Sequence, residues 1–394
     1  MKILCIHKNL RIGGGEREII NLAKKCNQQR IEFDIVVFEN NIAFEDVKGL
    51  RIIKLTGRKK IPQILRLVYL PITLIKLFFL ARNYDLIMSF EKYPAYLNLI
   101  ISKTLRKKSI IYVQTPLVLS LREIYKNKFI RKLHFLLHAI ILKQTDVILA
   151  VGEGVKNELM REFSLEQTKL KIYYPSIDPL LLDKLIKQSL SQQEKNIFKK
   201  NRVIVTVGAL TPVKNHELLI KAFQRLLNKI KNAVLLIIGE GSQKRKLTKL
   251  VRSLNLTGRV FLLGEKTNPY NYLLKSDVFI LSSKFEGFPH VLLEALYCKV
   301  PIIALDNPYG AREILAPELF QSQKIPDIYQ GRYGLLINPM SSNLAGVVTK
   351  GIYQLLNNNR LYKKLAKEGQ KRSEEFDSFK ISHKFFQIIQ TVFK

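Results

Sequence analysis

The chain has 394 residues, of which 65 are Lys or Arg and 32 are Asp or Glu, so its formal net charge at pH 7 is +33. This length allows two domains with separate cores, and a content of 47% hydrophobic and 25% charged residues excludes a disordered chain. The cysteines have no zinc-type spacing, which argues against a structural zinc. We therefore predict three buried thiols, Cys5, Cys26 and Cys298.

The positive charge predicts attraction to polyanions, such as anionic lipid, nucleic acid or a phosphorylated substrate. Lysines occur along the whole chain, so a general lysine bias or a solvated basic face is the alternative. The apolar run at 2–6 is too short for a secretion signal and is typical of a first strand. Arg66, Pro71 and Lys76 interrupt the most membrane-like stretch, 61–80. We expect a non-spanning cytoplasmic protein, peripheral on the inner face of the cytoplasmic membrane.

Short apolar runs alternate with longer amphipathic segments through the first half of the chain. The predicted strands are residues 2–6, 33–38, 86–90, 109–113 and 147–151. The helix-like segments between them are residues 16–26, 61–82, 95–105 and 129–143. Strands that alternate with helices predict an α/β fold with a doubly wound parallel sheet.

The same alternation of apolar runs and amphipathic segments begins again at Arg202, after a strand-free stretch at 183–201. The predicted strands there are residues 203–207, 233–238, 260–263, 278–281 and 300–304, with helices at 218–228 and 243–254. We predict two facing Rossmann-like domains, 1–180 and 181–375, and a final helix, 376–394, that packs back on the first domain. Parallel sheets bind ligands at the carboxyl ends of their strands, so the loops after strands are the candidate sites.

A glycine loop follows the first strand: Gly13, Gly14 and Gly15 precede a predicted helix that carries Glu16 and Glu18 in its first turn, where carboxylates suit the helix dipole. Glycines let a ligand approach the backbone, and free N–H groups at a helix start attract an anion. A tight structural turn is the alternative. The spacing does not match the dinucleotide fingerprint Gly-x-Gly-x-x-Gly.

The second half of the chain carries a lysine and two glutamates in the segments that follow its predicted strands. Lys214 follows the strand at 203–207, where a mobile ammonium would suit a diphosphate, although a solvated loop lysine is the alternative. Glu286 precedes a predicted helix start at Pro289, and Glu294 lies in that helix among apolar neighbours. Such a carboxylate needs partners, which the vicinal hydroxyls of a ribose would supply. A salt-bridged structural glutamate is the alternative for both.

These motifs, in this order, resemble the retaining GT-B glycosyltransferases of family 4. The matching segments are Gly-Gly-Gly-Glu-Arg at 13–17, Val-Gly-x-Leu-x-x-x-Lys-Asn-His at 207–216, Gly-Glu-Gly at 239–241 and Glu-Gly-Phe-Pro-x-Val-Leu-Leu-Glu-Ala-Leu at 286–296. The segments 307–315 and 331–336 resemble the subset that builds bacterial surface glycans and lipid-linked oligosaccharides. The resemblance implies transfer of a hexose or N-acetylhexosamine from a UDP-sugar to a glycan or polyprenyl-linked acceptor, with retention of configuration, in polysaccharide or lipopolysaccharide synthesis.

The resemblance also implies roles for individual residues. Glu294 would hold the ribose, while Glu286 and Lys214 would act at the donor sugar and diphosphate. The other implied donor-binding residues are Gly14, Gly15, Glu265, Gly287, Phe288 and Pro289. The acceptor-side candidates are Ser89, Glu91, Gln114, His134 and Glu153. No metal or other cofactor is expected, since basic groups and N–H donors stabilise the leaving diphosphate.

The chain departs from the family pattern at two positions. Ala209 stands where the family usually has Arg, and Lys299 where Gly is usual. Arg312 and Lys266 are the candidates to replace the missing cation.

Two other functions fit parts of the sequence: a non-catalytic basic protein that binds membranes or polyanions, and a sugar-nucleotide epimerase of the same fold. Basic motifs interleaved with aromatic residues are absent from the sequence, so nucleic acid is not an expected partner. The basic, apolar stretches 61–82 and 126–143 resemble interfacial helices, with buried connecting helices as the alternative.

Overall fold

The computed structural model describes residues 1–11, 13–44, 46–58, 63–90, 92–319 and 322–393, with only the backbone described at 63–69 and 92. The chain divides into two compact units. The first unit comprises Met1–Ser176 and Ser378–Lys394, and the second comprises Ile177–Asp377. The chain therefore passes from the first unit to the second at 176/177, four residues before the predicted boundary at 180/181.

The first unit contains a parallel seven-stranded sheet in the order β3-β2-β1-β4-β5-β6-β7. The strands are β1 (Lys2–His7), β2 (Glu32–Val37), β3 (Ile52–Lys54), β4 (Leu86–Phe90), β5 (Lys108–Val113), β6 (Val147–Ala150) and β7 (Leu170–Ile172). The helices between them are α1 (Gly14–Gln28), α2 (Gln63–Ala81), α3 (Lys92–Leu105), α4 (Leu117–Ile124), α5 (Lys128–Gln144) and α6 (Glu153–Phe163). Residues 61 and 62 of the predicted helix at 61–82 lie outside the described residues.

The second unit contains a seven-stranded sheet in the order β10-β9-β8-β11-β12-β14-β13, parallel except for the antiparallel β13–β14 pair. The strands are β8 (Arg202–Val207), β9 (Ala233–Ile238), β10 (Val260–Gly264), β11 (Val278–Leu281), β12 (Ile302–Leu305), β13 (Ile328–Gln330) and β14 (Leu335–Ile337). The helices are α7 (Pro179–Ile186), α8 (Gln192–Lys200), α9 (His216–Leu226), α10 (Lys244–Ser253), α11 (Tyr270–Lys275), α12 (His290–Tyr297), α13 (Gly310–Leu315), α14 (Leu344–Asn357) and α15 (Asn359–Ser373).

The last helix, α16 (Ser378–Val392), belongs to the first unit and packs against α1. It buries Ile381, Phe385 and Ile389, and the Phe385 ring lies 5.5 Å from that of Tyr173. On the opposite face of the sheet, Leu4 and Ile6 pack with apolar side chains of α2 and α3. The first unit thus has helices on both faces of its sheet, as predicted.

The parallel sheets confirm the predicted fold class, and Cys5, Cys26 and Cys298 are buried, as predicted. Sequence analysis missed the edge strands β3 and β7, which have three residues each and are too short to show a period. It also began the strand at 300–304 too early. Pro301 has no N–H to donate to a neighbouring strand, and β12 begins after it.

Candidate functional site

The order of the second sheet reverses where β8 pairs with β11, and the loops after these two strands carry the predicted donor residues. Such reversal points are the usual ligand sites of open α/β sheets. Lys214 is the last residue of a single 3-10 turn, Pro212–Lys214, and Glu286 lies in the loop before α12. The Lys214 ammonium donates directly to Glu286 Oε1. Their side chains are 24% and 17% exposed, so the pair is still open to solvent.

The backbone around Lys214 is fixed by contacts with the loop after β11. The Ser282 hydroxyl donates to the Lys214 carbonyl at 2.7 Å, and the Lys284 N–H donates to the Val213 carbonyl at 2.8 Å. The Lys214 side chain lies over Gly208, where an added Cβ would be 3.5 Å from Lys214 Cε. These contacts place the ammonium over the carboxyl ends of β8 and β11.

Glycines allow the neighbouring loops to touch each other through their backbones. Gly239 has a φ of +146°, and an added Cβ there would collide with the Gly208 carbonyl. The Gly310 N–H donates to the Gly287 carbonyl at 2.9 Å, and its Cα lies against Phe288. Four loops, those after β8, β9, β11 and β12, therefore form one continuous backbone surface at the strand ends.

Glu294 lies on α12 and is half-buried, and Tyr270 donates a hydrogen bond of 3.1 Å to its Oε1. The pKa of the neighbouring Cys298 thiol is raised to about 12 by burial and by the charge of Glu294. Among the other predicted donor residues, Phe288 is buried with its ring 5.4 Å from Phe376, and Glu265 is exposed.

Both candidates for the missing cation already have a carboxylate partner. Arg312 is buried, and its guanidinium makes a two-point contact with Asp306 and donates to the Gln323 carbonyl at 2.8 Å. Lys266 is bound to Glu194 at 3.0 Å. The suggestion that Arg312 or Lys266 replaces the usual arginine stays a prediction, and it requires either cation to leave its carboxylate partner. Ala209 is exposed and leaves a neutral position on this surface.

His216, the last residue of the Lys-Asn-His motif, is buried at the start of α9. Burial, together with the nearby positive charge of Lys214, lowers its pKa to about 4. The imidazole is therefore neutral at pH 7. It adds no positive charge beside Lys214.

In the first unit, α1 begins within the glycine loop. Gly14 and Gly15 are its first residues, and Gly13 precedes it with extended backbone. The Gln114 amide lies against Gly15, where an added Cβ would be 2.6 Å from Gln114 Oε1. The structure thus brings together one predicted donor-side residue and one predicted acceptor-side residue.

Sequence analysis misplaced Glu18, which is the fifth residue of α1 and lies beyond its first turn. It is fully buried and accepts hydrogen bonds from Tyr173 Oη at 2.7 Å, the Ser176 N–H at 2.6 Å and Ser176 Oγ at 3.0 Å. Burial raises its pKa to about 7, although these three donors oppose the shift. Its partners are more than 150 residues away, so no local sequence pattern indicates the contact.

Comparison with known proteins identifies the family. The model of glycosyltransferase family 4 matches residues 12–179, and that of glycosyl transferases group 1 matches residues 187–372. The chain is a family 4 glycosyltransferase with the GT-B fold.

Two relatives and one solved structure illustrate this similarity. The glycosyltransferase is 29% identical to N-acetylgalactosamine-N,N'-diacetylbacillosaminyl-diphospho-undecaprenol 4-alpha-N-acetylgalactosaminyltransferase of Campylobacter jejuni, over 95% of each chain. It is 37% identical to an uncharacterized glycosyltransferase of Methanocaldococcus jannaschii, but that match covers 56% of this chain and 54% of the relative. The crystal structure of Anabaena HepE with UDP and glucose has a TM-score of 0.80 at 18% identity, covering 99% and 100% of the two chains.

The acceptor-side candidates of this glycosyltransferase differ in their surroundings. Ser89 is fully buried, and its hydroxyl accepts a hydrogen bond from Asn98 at 3.0 Å, which corrects its assignment as an acceptor contact. His134 stacks on Tyr125, and its Nδ1 lies 3.2 Å from the hydroxyl of Tyr96 on α3. Glu153 is exposed at the first position of α6, and Glu91 lies outside the described residues.

Two kinds of feature are absent from the described residues. No group of three or more His, Cys, Asp and Glu side chains among them is placed to bind a metal ion. None of the helices described is both long and apolar enough to cross a membrane.

Proposed function

We propose that this glycosyltransferase moves a hexose or N-acetylhexosamine from a UDP-sugar to a lipid-linked or glycan acceptor, with retention of configuration, in the synthesis of a cell-surface polysaccharide or lipopolysaccharide. The Lys214–Glu286 pair at the reversal point of the second sheet carries this proposal. The Campylobacter relative, by its name, acts on a diphospho-undecaprenol substrate, and HepE was crystallised with UDP. We further propose that the enzyme works at the inner face of the cytoplasmic membrane.

Within this proposal, Lys214 neutralises the donor diphosphate. In the free protein its ammonium is bound by Glu286, so donor binding exchanges one anionic partner for another at the same position. Glu286 is then released to accept hydrogen bonds from the donor sugar. Backbone N–H groups of Gly287 and Phe288 contribute further donors as negative charge develops on the leaving group. A donor phosphate oxygen accepts the proton of the attacking hydroxyl, and no metal is needed.

Glu294 is proposed to accept hydrogen bonds from the two ribose hydroxyls. Tyr270 holds one carboxylate oxygen from the side, so the carboxylate is oriented before the nucleotide binds. Pre-orientation of this kind reduces the entropy lost on binding. The roles of Gly14, Gly15, Glu265, Gln114 and Glu153 stay predictions.

Calorimetric titration with UDP tests the donor assignment. Replacing a hydrogen-bonded carboxylate with an amide removes charge-assisted bonds, so Glu294→Gln is expected to weaken UDP binding by about tenfold to a hundredfold. Tyr270→Phe removes only the orienting bond, and a smaller loss is expected. The exposed Glu318→Gln is the matched control for the change of charge.

Equal UDP affinity for the wild type and Glu294→Gln would contradict the assignment of Glu294 as the residue that binds the ribose. Turnover is tested separately by following sugar release from UDP-sugars with and without acceptor. UDP binding without any turnover, also with a lipid-linked acceptor, would favour a non-catalytic binding protein. An isomerised donor sugar formed without acceptor would favour an epimerase.

A further inference from the structure

One helix layer of the first unit has an apolar outer surface. Helices α2, α3 and α5 pack side by side on one face of the sheet. Of the eighteen large hydrophobic side chains that are exposed among the described residues, ten lie on these three helices. Monomeric soluble proteins rarely expose contiguous apolar surface on this scale, so this face is expected to have a partner.

The apolar surface is best defined on α5. Its buried face carries His138, Ile141 and Leu142, which is the side packed on the protein. The opposite face carries six exposed apolar residues: Phe129 (78% exposed), Ile130, Leu133, Leu136, Leu137 and Ile140. Four of them, at 129, 133, 136 and 140, follow helical spacing and form a straight stripe about 16 Å long. This helix presents to solvent the kind of face that a surface helix normally buries.

The neighbouring helices continue this surface. On α2, Ile72, Ile75 and Phe79 are spaced three and four residues apart and are 52%, 59% and 60% exposed. On α3, which lies between α2 and α5, Ile100 is 46% exposed. The exposed stripe on α5 is therefore part of a wider surface, which we call the apolar layer face.

The charged residues within the three helices of the apolar layer face are all positive. The sequences of α2, α3 and α5 contain no Asp or Glu, in a chain that has 32 of them. Lys132 and Lys143 are exposed and, by helical geometry, lie beside the stripe of α5. Lys76 is exposed between the apolar residues of α2. An apolar face with flanking lysines is the pattern of a helix that lies in the interface of an anionic bilayer.

We propose that the apolar layer face docks the enzyme on an anionic lipid bilayer, with Phe129, Leu133 and Ile140 entering the interface and Lys132 and Lys143 contacting lipid phosphates. A second copy of the chain is the less suitable occupant, because two identical basic faces would repel each other. The proposal deepens the proposed function, since it places the enzyme where a lipid-linked acceptor is found.

A fluorescent probe can report the insertion directly, because the chain contains no tryptophan. Phe129→Trp introduces one at the stripe, and Met340→Trp introduces one at a site in the second unit that is 87% exposed. With vesicles of phosphatidylcholine and phosphatidylglycerol, we expect a blue shift for Phe129→Trp and none for Met340→Trp. No shift for Phe129→Trp, or a shift that depends on protein concentration without lipid, would overturn the proposal.

Vesicle flotation with paired substitutions separates local contact from net charge. Helix α10 is a suitable control because Lys249 and Arg252 are exposed on a basic helix whose apolar residues Leu247 and Val251 are buried. Two lysines near an anionic surface contribute about tenfold or more to partitioning, so Lys132→Gln/Lys143→Gln should weaken it by that factor. The pair Lys249→Gln/Arg252→Gln should change it less than about twofold. Equal losses would mean that only net charge matters, which contradicts a defined docking face.

The apolar contribution is tested with Leu133→Ser/Ile140→Ser, for which we expect a loss of about a hundredfold. Both positions are about half exposed, so the variant should fold, and circular dichroism checks this. UDP titration of the same variants separates the two proposals. A variant that loses vesicle binding but keeps UDP binding supports the docking face. Absence of UDP binding in the wild type and in every variant would contradict the proposed function, but it would not change the docking result.

Discussion

The Lys214–Glu286 pair explains how one cation could serve a site whose family usually has two. Glu286 holds the ammonium at the strand ends before any ligand binds, which limits the freedom lost on binding. The neutral Ala209 and the neutral His216 leave Lys214 as the charged member of the Val-Gly-x-Leu-x-x-x-Lys-Asn-His segment. We therefore expect diphosphate binding to depend more on Lys214 here than in relatives with the arginine.

Glu18 makes the stability of the first unit depend on pH. In the folded protein its pKa is raised from the ordinary 4.5 to about 7. Between these values the folded protein keeps a proton that the unfolded chain has released, so stability falls as pH rises through this range. Above pH 7 the full cost of the buried charge is present, amounting to roughly 3 kcal/mol.

The variant Glu18→Gln removes this titration. Its free energy of unfolding relative to the wild type is expected to rise between pH 5 and pH 8 by up to about 3 kcal/mol, measured by urea unfolding. His216 titrates partly in the same range, but it does so in both proteins and cancels in the difference. Glu153→Gln, at the exposed start of α6, is the control. If the free energy of unfolding changed with pH in the same way for Glu18→Gln and the wild type, Glu18 would not be the titrating group.

Among the connecting elements, the loop after β9 tests whether backbone contact between loops maintains the site. Gly239→Ala places a Cβ against the Gly208 carbonyl at a strained φ, and we expect it to cost about 3 kcal/mol or more. Gly258 has a φ of +80° but nothing within 4 Å of its Cβ position, so Gly258→Ala should cost only about 1 kcal/mol. Urea unfolding of both variants, with UDP titration, measures the difference. A cost for Gly239→Ala no larger than for Gly258→Ala would show that the loops are not tightly coupled.

The helices and central strands were predictable because their patterns are local. Strands such as β9, which is buried along its whole length, appear in the sequence as continuous apolar runs between turns. The edge strands β3 and β7 were missed because three residues do not establish a pattern. Helix α8 was also missed, although its capping box of Ser191 and Glu194 is a sequence signal that could have indicated its start.

In the molecule as a whole, the two units depend differently on the end of the chain. The second unit is one continuous segment, Ile177–Asp377, whereas the first needs α16 to complete it. Loss of α16 would expose the surface covered by Ile381, Phe385, Ile389 and Val392. At about 1.5–3 kcal/mol for each such side chain, the loss is comparable with the whole stability of a domain.

A chain that ends at Asp377 should therefore have an unfolded first unit and a folded second unit. Limited proteolysis is expected to degrade residues 1–176 and spare 177–377. UDP affinity, measured by calorimetry, should change less than about threefold if the second unit holds the nucleotide alone. Phe385→Ala provides a milder form of the same test, with an expected loss of about 3–5 kcal/mol. A protease-resistant first unit in the truncated chain would contradict this account of α16.

Local sequence patterns were sufficient for the α/β class, the two similar halves and the loops that carry Lys214, Glu286 and Glu294, because hydrophobic period and glycine position act over a few residues. Tertiary structure decided which charges are free and which are neutralised. Lys214 pairs with Glu286, Arg312 with Asp306 and Lys266 with Glu194, and two of these pairs join residues 72 positions apart. It also decided that α5 exposes its apolar stripe, because an amphipathic pattern shows that a helix has two faces but not which one the protein covers.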